Sequence, residues 1–327
     1  MDRDLFAKEP YLKAEIGPPL ARLAEQGVHL GTSSWKYPGW CGSVYEEARY
    51  HYRGRLAKTR FERDCLEEYA ETFSTVCVDA GYYRFPDPRF IDRICGQVPD
   101  RFLFSFKVTD EITIARFPRV PRHGDKGGSW NPRFLDAEIF RKAFLRPLAP
   151  HADRIGCLIF EFSQMKQADL ESIDFLPRLG TFLRSLPTEW QYAVEIRNPD
   201  LLGAQYFETL ASAGVAHVHS SWERMPSLSE QLALPESRTT DFAAARLLLK
   251  PGRRYSEAVE SFEPYEKTQE ELPEVRTAAA QLVEEIVARQ ANSETRQSFL
   301  YVNNRLEGNG PLTIKAILRE AGLLSSK

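Results

Sequence analysis

The sequence has no apolar run of about 18 residues, the length that a membrane-spanning helix requires. Its first twenty residues, "MDRDLFAKEPYLKAEIGPPL", are charged throughout and lack the apolar segment of a signal peptide. We therefore expect a cytoplasmic protein with no membrane partner. The sequence gives no indication of the oligomeric state.

Cysteine is scarce, with five scattered residues and no C-x-x-C pair, which argues against a disulfide framework and a zinc knuckle. The net charge of −3 excludes a global basic field that would attract nucleic acid or an anionic membrane. Neither a P-loop nor a dinucleotide fingerprint occurs. We expect reduced thiols, no metal in the preferred mechanism and no obligatory cofactor.

What the chain does contain is a regular alternation of β-rich runs and helical patterns. The β-rich runs lie at 28–33, 75–80, 102–108, 155–162, 192–197, 215–221, 242–250 and 298–304. Such alternation predicts a parallel sheet, and eight units in about 300 residues favour a closed (β/α)8 TIM-type barrel over an open, doubly wound sheet. We predict one barrel domain at 28–327, preceded by a helical extension at 1–27 that packs outside the barrel or across one end.

In such barrels, chemistry belongs to the carboxyl ends of the strands. Two acids there, Glu161 in "LIFEF" and Glu195 in "AVEIR", are flanked by apolar residues, so each should be buried and in need of a partner. Glu195 is the predicted general base, and Lys107 and Glu161 are the other catalytic candidates. Lys107 also suits a Schiff base, although an ion pair with Glu195 is favoured. A purely structural ion pair of Glu195 with Arg197 or Lys107 is the alternative.

The stretch "GTSSWKYPGW", residues 31–40, follows the first predicted strand and is too aromatic for an ordinary surface loop. Because it is the first loop on the functional side, its rings should line or roof the barrel mouth. The alternative is that Trp35 and Trp40 cap the barrel core.

Five motifs occur in order: "GTSSWKYPGW", "YYRFP", "RFLFSFKVTDEIT", "YAVEIRNPDLL" and "YVNNRLEGNG". Together they resemble the YecE-like family, the proteins of domain of unknown function 72, from about residue 28 to residue 318. The resemblance implies a TIM-type barrel with a shared polar site at its mouth, but it names no reaction. It supports site roles for Thr32, Trp35, Tyr83, Arg84, Lys107, Glu195, Arg197, Arg246, Asn303 and Asn304, and the end of the second strand adds Asp79.

The chain also departs from the pattern of the family it resembles. Cys77 stands where the family usually has Glu, Asp79 where it has Asn, and Glu161 where it has Gln. Ile114 replaces a His, and Lys315 replaces an Asn. These departures indicate a divergent branch whose ligand differs from that of the core members, or one that has lost activity.

The preferred function is binding, with or without transformation, of a small anionic or polyhydroxylated molecule at the barrel mouth. Arginine forks match carboxylate and phosphate groups, and four predicted strand ends carry cations: Arg84, Lys107, Arg197 and Arg246. Their internal counterions would be Asp79, Glu161 and Glu195, and full pairing would leave no net charge for a ligand. Metal-independent acid–base chemistry is the expected reaction type, and the residues leave open whether the protein is an enzyme.

Two alternatives remain at this stage. In "HVH", His217 and His219 share one strand face, and His219 could join strand-end carboxylates at a catalytic metal of a hydrolase or isomerase. Residues 117–133 are basic and carry Trp130, so they could bind nucleic acid. A lid over the mouth is the preferred interpretation of this segment, because it leaves the third strand on the functional side.

Overall fold

The computed structural model describes residues 11–290 and 296–325, and within them eight parallel strands form a closed barrel. The strands are β1 Val28–Thr32, β2 Thr75–Val78, β3 Leu103–Lys107, β4 Ile155–Phe162, β5 Gln191–Ile196, β6 Ala216–Ser221, β7 Ala244–Leu247 and β8 Ser298–Val302. Each strand pairs with the next along the chain, and β8 pairs with β1, where Gly31 lies opposite Tyr301. The predicted (β/α)8 barrel is confirmed, and the open sheet is wrong because β1 and β8 are paired.

Helices surround the barrel. They are α1 Leu12–Glu25, α2 Glu47–Tyr50, α3 Lys58–Tyr69, α4 Pro88–Cys95, α5 Asp110–Thr113, α6 Ala137–Ile139, α7 Arg146–Leu148, α8 Gln167–Ser172, α9 Phe175–Arg184, α10 Ala204–Ala211, α11 Leu228–Leu232, α12 Tyr255–Phe262, α13 Pro273–Gln290, α14 Asn304–Glu307 and α15 Gly310–Glu320. Within the described ranges, no helix combines the length and the apolar character that crossing a membrane requires.

Three local features differ from the sequence-based prediction. The apolar pattern of residues 170–186 predicts one helix. The structure has two there, α8 and α9, because Asp174 between them adopts a left-handed φ of 49°. Strand β7 is shorter than expected, since Leu248 and Leu249 leave the sheet and pack in a separate apolar cluster. Residues 51–56 form an unpredicted hairpin, whose turn residues Arg53 and Gly54 both have positive φ, as a type I′ turn requires.

The barrel interior holds one set of alternating side chains, and the other set packs under the helices. Phe299 and Tyr301 of β8 point inward, and Gly156 gives the Phe299 ring its space: a Cβ there would lie 2.6 Å from the ring. The Tyr301 hydroxyl donates to Ser105 Oγ at 2.6 Å and lies 2.8 Å from Thr75 Oγ1. Polar groups inside the barrel are thus bonded across it.

Helix α1 packs beside β1 and against α15. It buries Ile16, Leu20 and Leu23 in the main apolar core, and Glu15 pairs with Lys315 Nζ at 2.6 Å. Residues 1–10 of the predicted extension lie outside the described residues. The α1 part of that extension shares the core of the barrel domain.

Candidate ligand site at the barrel mouth

A buried ion cluster occupies the carboxyl ends of β2 to β5 and β7. It consists of three cations and three carboxylates from the described part of the chain: Lys107, Arg197, Arg246, Asp79, Glu161 and Glu195. All six are predicted site residues, and the structure brings them into direct contact. Their charges balance, so the ion cluster as a whole is neutral.

Arg246 is the hub of the ion cluster. Its Nη1 lies 2.6 Å from Glu195 Oε2 and 3.2 Å from Glu161 Oε2, and its Nη2 lies 2.9 Å from Asp79 Oδ1. The side chain is 2% exposed, so these charge-assisted bonds form in a medium that screens them weakly. One guanidinium therefore holds three carboxylates from β4, β5 and the end of β2.

The two glutamates lie directly opposite each other on β4 and β5 and would repel without intervening cations. Arg197 Nη2 lies 2.6 Å from Glu195 Oε1 and 3.3 Å from Glu161 Oε2. Lys107 Nζ lies 2.8 Å from Glu161 Oε2. Lys107 therefore pairs with Glu161 and not with Glu195, in contrast to the sequence-based expectation.

Burial and ion pairing have opposite effects on the pKa values of Glu161 and Lys107. Burial by itself would raise the pKa of Glu161, but Lys107, Arg197 and Arg246 outweigh it and hold that pKa far below 4.5. Burial lowers the pKa of Lys107, but the Glu161 carboxylate outweighs it and holds that pKa above 10.5. Lys107 is thus an ammonium at neutral pH, a form that donates hydrogen bonds, and it is not the neutral amine that a Schiff base requires.

Two aromatic rings cover cations of the ion cluster. Lys107 Nζ lies 3.6 Å from the ring centroid of Tyr82, and the Arg197 guanidinium carbon lies 3.8 Å from that of Trp222. Sequence reasoning selected Tyr83 instead of Tyr82 and omitted Trp222. Both rings could have been selected from their positions in the sequence, because each follows directly after the end segment of a strand.

A second group of rings lies on the β1 and β8 side of the mouth. Tyr37 packs edge-on against Tyr265 with centroids 5.6 Å apart, and the Arg305 guanidinium lies 4.6 Å from the Tyr255 centroid. Burial raises the pKa of Tyr37 to about 12, with Arg305 lowering it and Asp79 raising it as nearby charges. Of the aromatic loop, Tyr37 thus faces the mouth.

The two tryptophans of that loop lie elsewhere. Trp40 is fully buried and stacks on Tyr45 and Tyr69, so it caps the core. Trp35 is buried beneath Lys36 and lines a depression that it shares with α3 and α4. The expectation that Trp35 roofs the mouth is wrong, since its ring lies on the outer side of the barrel.

Three more predicted ligand contacts do not join the ion cluster. Thr32 lies on the outward face of β1, where its hydroxyl is 2.8 Å from the Tyr69 hydroxyl and donates to Ser34 O at 2.7 Å. Tyr83 and Arg84 are exposed beyond the turn that follows β2. Strand alternation explains the outward direction of Thr32, because its neighbours Gly31 and Ser33 occupy the inward positions.

Asn303 and Asn304 shape the loop after β8. Asn303 Oδ1 accepts from Arg305 N at 3.0 Å, and Asn304 Oδ1 accepts from Gly310 N at 2.7 Å. Asn309 Oδ1 accepts from Leu312 N at 2.9 Å. The first turn of α15 is therefore capped by the protein's own side chains.

The histidines of β6 face away from the ion cluster. His217 Nδ1 lies 3.1 Å from the Tyr206 hydroxyl, and His219 Nε2 lies 3.0 Å from Ser237 Oγ, both on the helix side of the sheet. Burial lowers the pKa of both, that of His219 to about 4. The hypothesis that His219 joins strand-end carboxylates at a metal is wrong in geometry, and the described residues include no trio of His, Cys, Asp or Glu placed to hold one.

The basic segment 117–133 lies beside the mouth. Arg122 bonds Asp110 at 2.9 Å and lies over the rings of Tyr82 and Tyr83. Trp130, the ring predicted for base stacking, is covered on one side by Arg116, whose guanidinium carbon lies 4.0 Å from its centroid. The segment's role as a lid or as a nucleic-acid surface stays a prediction.

Several buried polar atoms at the mouth lack a hydrogen-bond partner among the described residues. They are Arg197 Nε and Nη1, Arg246 Nε, Asn304 Nδ2, Arg305 Nε, Ser33 Oγ and Ser220 Oγ. Their residues lie near the carboxyl ends of β1, β5, β6, β7 and β8 or directly after these strands. All the nitrogen atoms among them are N–H donors. Buried donors without acceptors are costly, so their concentration here marks a place for acceptor atoms.

Eight parallel strands closed into a barrel, with ionisable and aromatic residues gathered at their carboxyl ends, define a (β/α)8 protein with its polar site at the mouth. Within that class, the chain belongs to the DUF72 family, "Protein of unknown function DUF72", whose model matches residues 29–327. The resemblance to the YecE-like family is confirmed.

Individual relatives agree with this assignment. UPF0759 protein YecE of Escherichia coli K12 is 27% identical over 188 residues, which are 58% of this chain and 55% of that protein. The chain thus spans about half the length of the curated relatives it matches. A DUF72 family protein from Thermotoga maritima MSB8 has a TM-score of 0.57 at 20% identity, covering 90% of this chain and 98% of its own.

A DUF72 family protein from Enterococcus faecalis V583 also has a TM-score of 0.57, at 15% identity, covering 91% of this chain and 98% of its own. These structures show a shared fold. The family descriptions assign no reaction, so the function is argued from the site.

Proposed function

We propose that the protein binds a small oxygen-rich molecule, anionic or polyhydroxylated, at the barrel mouth, and that Lys107 donates a proton to it in metal-independent acid–base chemistry. The observation that carries this proposal is the set of buried donors at the strand ends that lack acceptors, above all those of Arg197, Arg246 and Arg305. Oxygen atoms of a ligand would supply the missing acceptors.

The charge balance of the site favours a ligand rich in hydroxyl groups. The ion cluster is neutral, so it attracts no anion by net charge, whereas its free N–H groups suit hydroxyl and carbonyl oxygens. Arg305 differs, because no described carboxylate lies within ion-pair distance of it, so it can hold one acidic group. The half-buried rings of Tyr37 and Trp222 offer apolar faces beside these donors.

The roles within the ion cluster follow from the contacts. Lys107 and Glu161 are slightly exposed, so a ligand oxygen can approach the ammonium. As the bond from that oxygen to carbon breaks and negative charge develops, the oxygen takes a proton from Nζ, and water then returns a proton to the amine. Glu195, predicted as the general base, has its two oxygens against Arg197 and Arg246, and we assign it to positioning those side chains. Asp79 holds the other arm of Arg246.

A ligand screen with matched variants tests the proposal. Sugar acids and polyols are titrated calorimetrically into wild type, Arg305→Ala, Lys107→Met and the surface control Arg22→Ala. We expect Arg305→Ala to weaken binding of the acidic ligand about tenfold or more, and Arg22→Ala to change it less than about twofold. Equal affinity in wild type and Arg305→Ala would place the site elsewhere.

Turnover of the bound ligand is then measured in the same proteins. We expect Lys107→Met to lower kcat by at least about a hundredfold, the usual contribution of a positioned acid. Treatment with a chelator should leave kcat unchanged. A bound ligand that wild type leaves unconverted would identify a binding protein without catalysis.

A further inference from the structure

Beside the ion cluster lies a cleft of about 680 Å³, within the size range of small-molecule sites. One wall is formed by residues 113–119, from the end of α5 onward, together with Arg122 and Gly128. The other is formed by residues 163–166 and Asp169, which follow β4, and Tyr82 lies at the inner end. Ser163 in its wall is two residues from Glu161. The cleft and the ion cluster are therefore neighbours along the same strand end.

The cations of the cleft divide into paired and unpaired ones. Arg116 pairs with Asp169 at 2.9 Å, and Arg122 pairs with Asp110 at 2.9 Å. Arg119 and Lys166 make no ion pair with any described residue, and both are exposed to solvent. The cleft thus carries unneutralised positive charge, in contrast to the neutral ion cluster next to it.

The backbone of the segment fits around Arg119. Gly128 has a φ of +90°, and a Cβ there would lie 3.0 Å from Arg119 Nε and 3.2 Å from its Nη2. A side chain at this position would displace the guanidinium and strain the backbone. The guanidinium therefore lies against the backbone of Gly128, where its fork can meet a phosphate.

The other walls of the cleft are apolar or aromatic. Ile114, Phe117 and Met165 line it, and Tyr82 presents its ring there while the same ring contacts Lys107 Nζ at 3.6 Å from its centroid. A molecule in the cleft therefore meets cations at one place and apolar surface at another. A phosphate ester has both kinds of group, whereas free phosphate has one.

We infer that this cleft binds the phosphate of a phosphate ester, whose oxygen-rich part reaches the ion cluster past Tyr82. This inference rests on the proposed function and narrows its ligand to phosphorylated compounds. Arg119 and Lys166 bind the phosphate, and Ile114, Phe117 and Met165 contact the ester group. Arg305, at the opposite side of the mouth, then meets another part of the ligand.

The test is calorimetric titration with inorganic pyrophosphate at about 50 mM salt, where surface charges are weakly screened. The proteins are wild type, Arg119→Ala/Lys166→Ala, Arg305→Ala, and the control pair Arg22→Ala/Lys58→Ala, which removes the same charge elsewhere. We expect the cleft double variant to bind about tenfold or more weakly than wild type, and the control pair to stay within about twofold of wild type. Arg305→Ala should lose less affinity for pyrophosphate than the cleft double variant. Both cleft side chains are exposed, so unchanged thermal unfolding should show that the variant folds.

Different failures separate the two proposals. Pyrophosphate binding that is lost in Arg305→Ala and retained in the cleft variant would overturn the cleft inference and leave the mouth site standing. No binding to wild type would also overturn it, while the screen of sugar acids and polyols would still decide the proposed function. Phenyl phosphate should bind severalfold tighter than inorganic phosphate, and equal affinities would contradict an ester group in the cleft.

Discussion

Glu161 is a buried carboxylate that three cations share, since Lys107, Arg197 and Arg246 all contact its Oε2. We expect Glu161→Gln to lower the free energy of unfolding by about 3 kcal/mol, because it leaves an uncompensated buried positive charge. Urea denaturation at pH 7 measures this change. Glu285→Gln, which breaks a half-exposed pair with Arg238, should cost less than about 1 kcal/mol.

The double variant Glu161→Gln/Lys107→Met separates charge balance from simple loss of a side chain. It removes one charge of each sign, so we expect it to be more stable than Glu161→Gln alone. The pKa of Glu161 is lower in the folded protein than its ordinary 4.5, so its contribution is present above pH 4.5 and is lost at lower pH. A steep acid dependence that survives in Glu161→Gln would contradict this assignment.

At this scale the sequence predicts the charged residues better than the rings. Glu161 and Glu195 were recognisable because acids inside apolar strand ends require partners. Tyr82 and Trp222 were missed because ring directions in a loop depend on the turn that carries them. Tyr82 ends the turn Asp79–Tyr82, which directs it inward and leaves the predicted Tyr83 outside.

Among the elements, β6 illustrates how strand alternation decides function. A strand's side chains alternate between two faces, so a shift by one residue determines whether the histidines point toward the ion cluster or toward the helices. The sequence "AHVHSS" allows both phases, because each face offers small or polar residues. The surrounding helices fix the phase by burying His217 and His219 beneath α10, α11 and α13.

This burial predicts a pH dependence of stability. Burial lowers the pKa of His219 from 6.5 to about 4, with Arg238 lowering it and Glu285 raising it, so the unfolded chain binds protons first. Its stabilising contribution is present above pH 6.5 and falls by up to about 3 kcal/mol between pH 6.5 and 4. Urea denaturation should show a shallower dependence in His219→Gln.

The apolar pattern predicted the boundaries of the elements wherever a single strand was followed by a single helix. All eight strands were predicted, and β4 was predicted at both ends. The failures have local causes: the left-handed Asp174 divides one helix, and the tight turn at Arg53 and Gly54 creates a hairpin too short to leave a periodic signal.

For the molecule as a whole, the barrel and the helices packed on it bury most of the thiols. All five cysteines are free, Cys41 is half-buried and the other four are buried. Burial raises the pKa of Cys41 and Cys95 to about 11 and that of Cys65 to about 12. The expectation that several of these thiols are buried is thereby confirmed.

These thiols report on global unfolding. With a chromogenic disulfide reagent at pH 8, we expect slow modification of Cys41 in the native protein and rapid modification of all five cysteines in urea. Cys41→Ser should remove the native reaction. Fast native modification of several thiols would show that the barrel opens locally, in contradiction to the packed interior.

The neutral ion cluster also constrains how this branch of the family can have arisen. A protein that gains a buried acid at Glu161 or Asp79 before the matching cation passes through a destabilised ancestor, and so does one that gains the cation first. Such positions should change together or in rapid succession during descent. Among members of this branch, we expect Asp79, Glu161 and Arg246 to be inherited as a block, while the exposed Tyr83 and Arg84 drift independently.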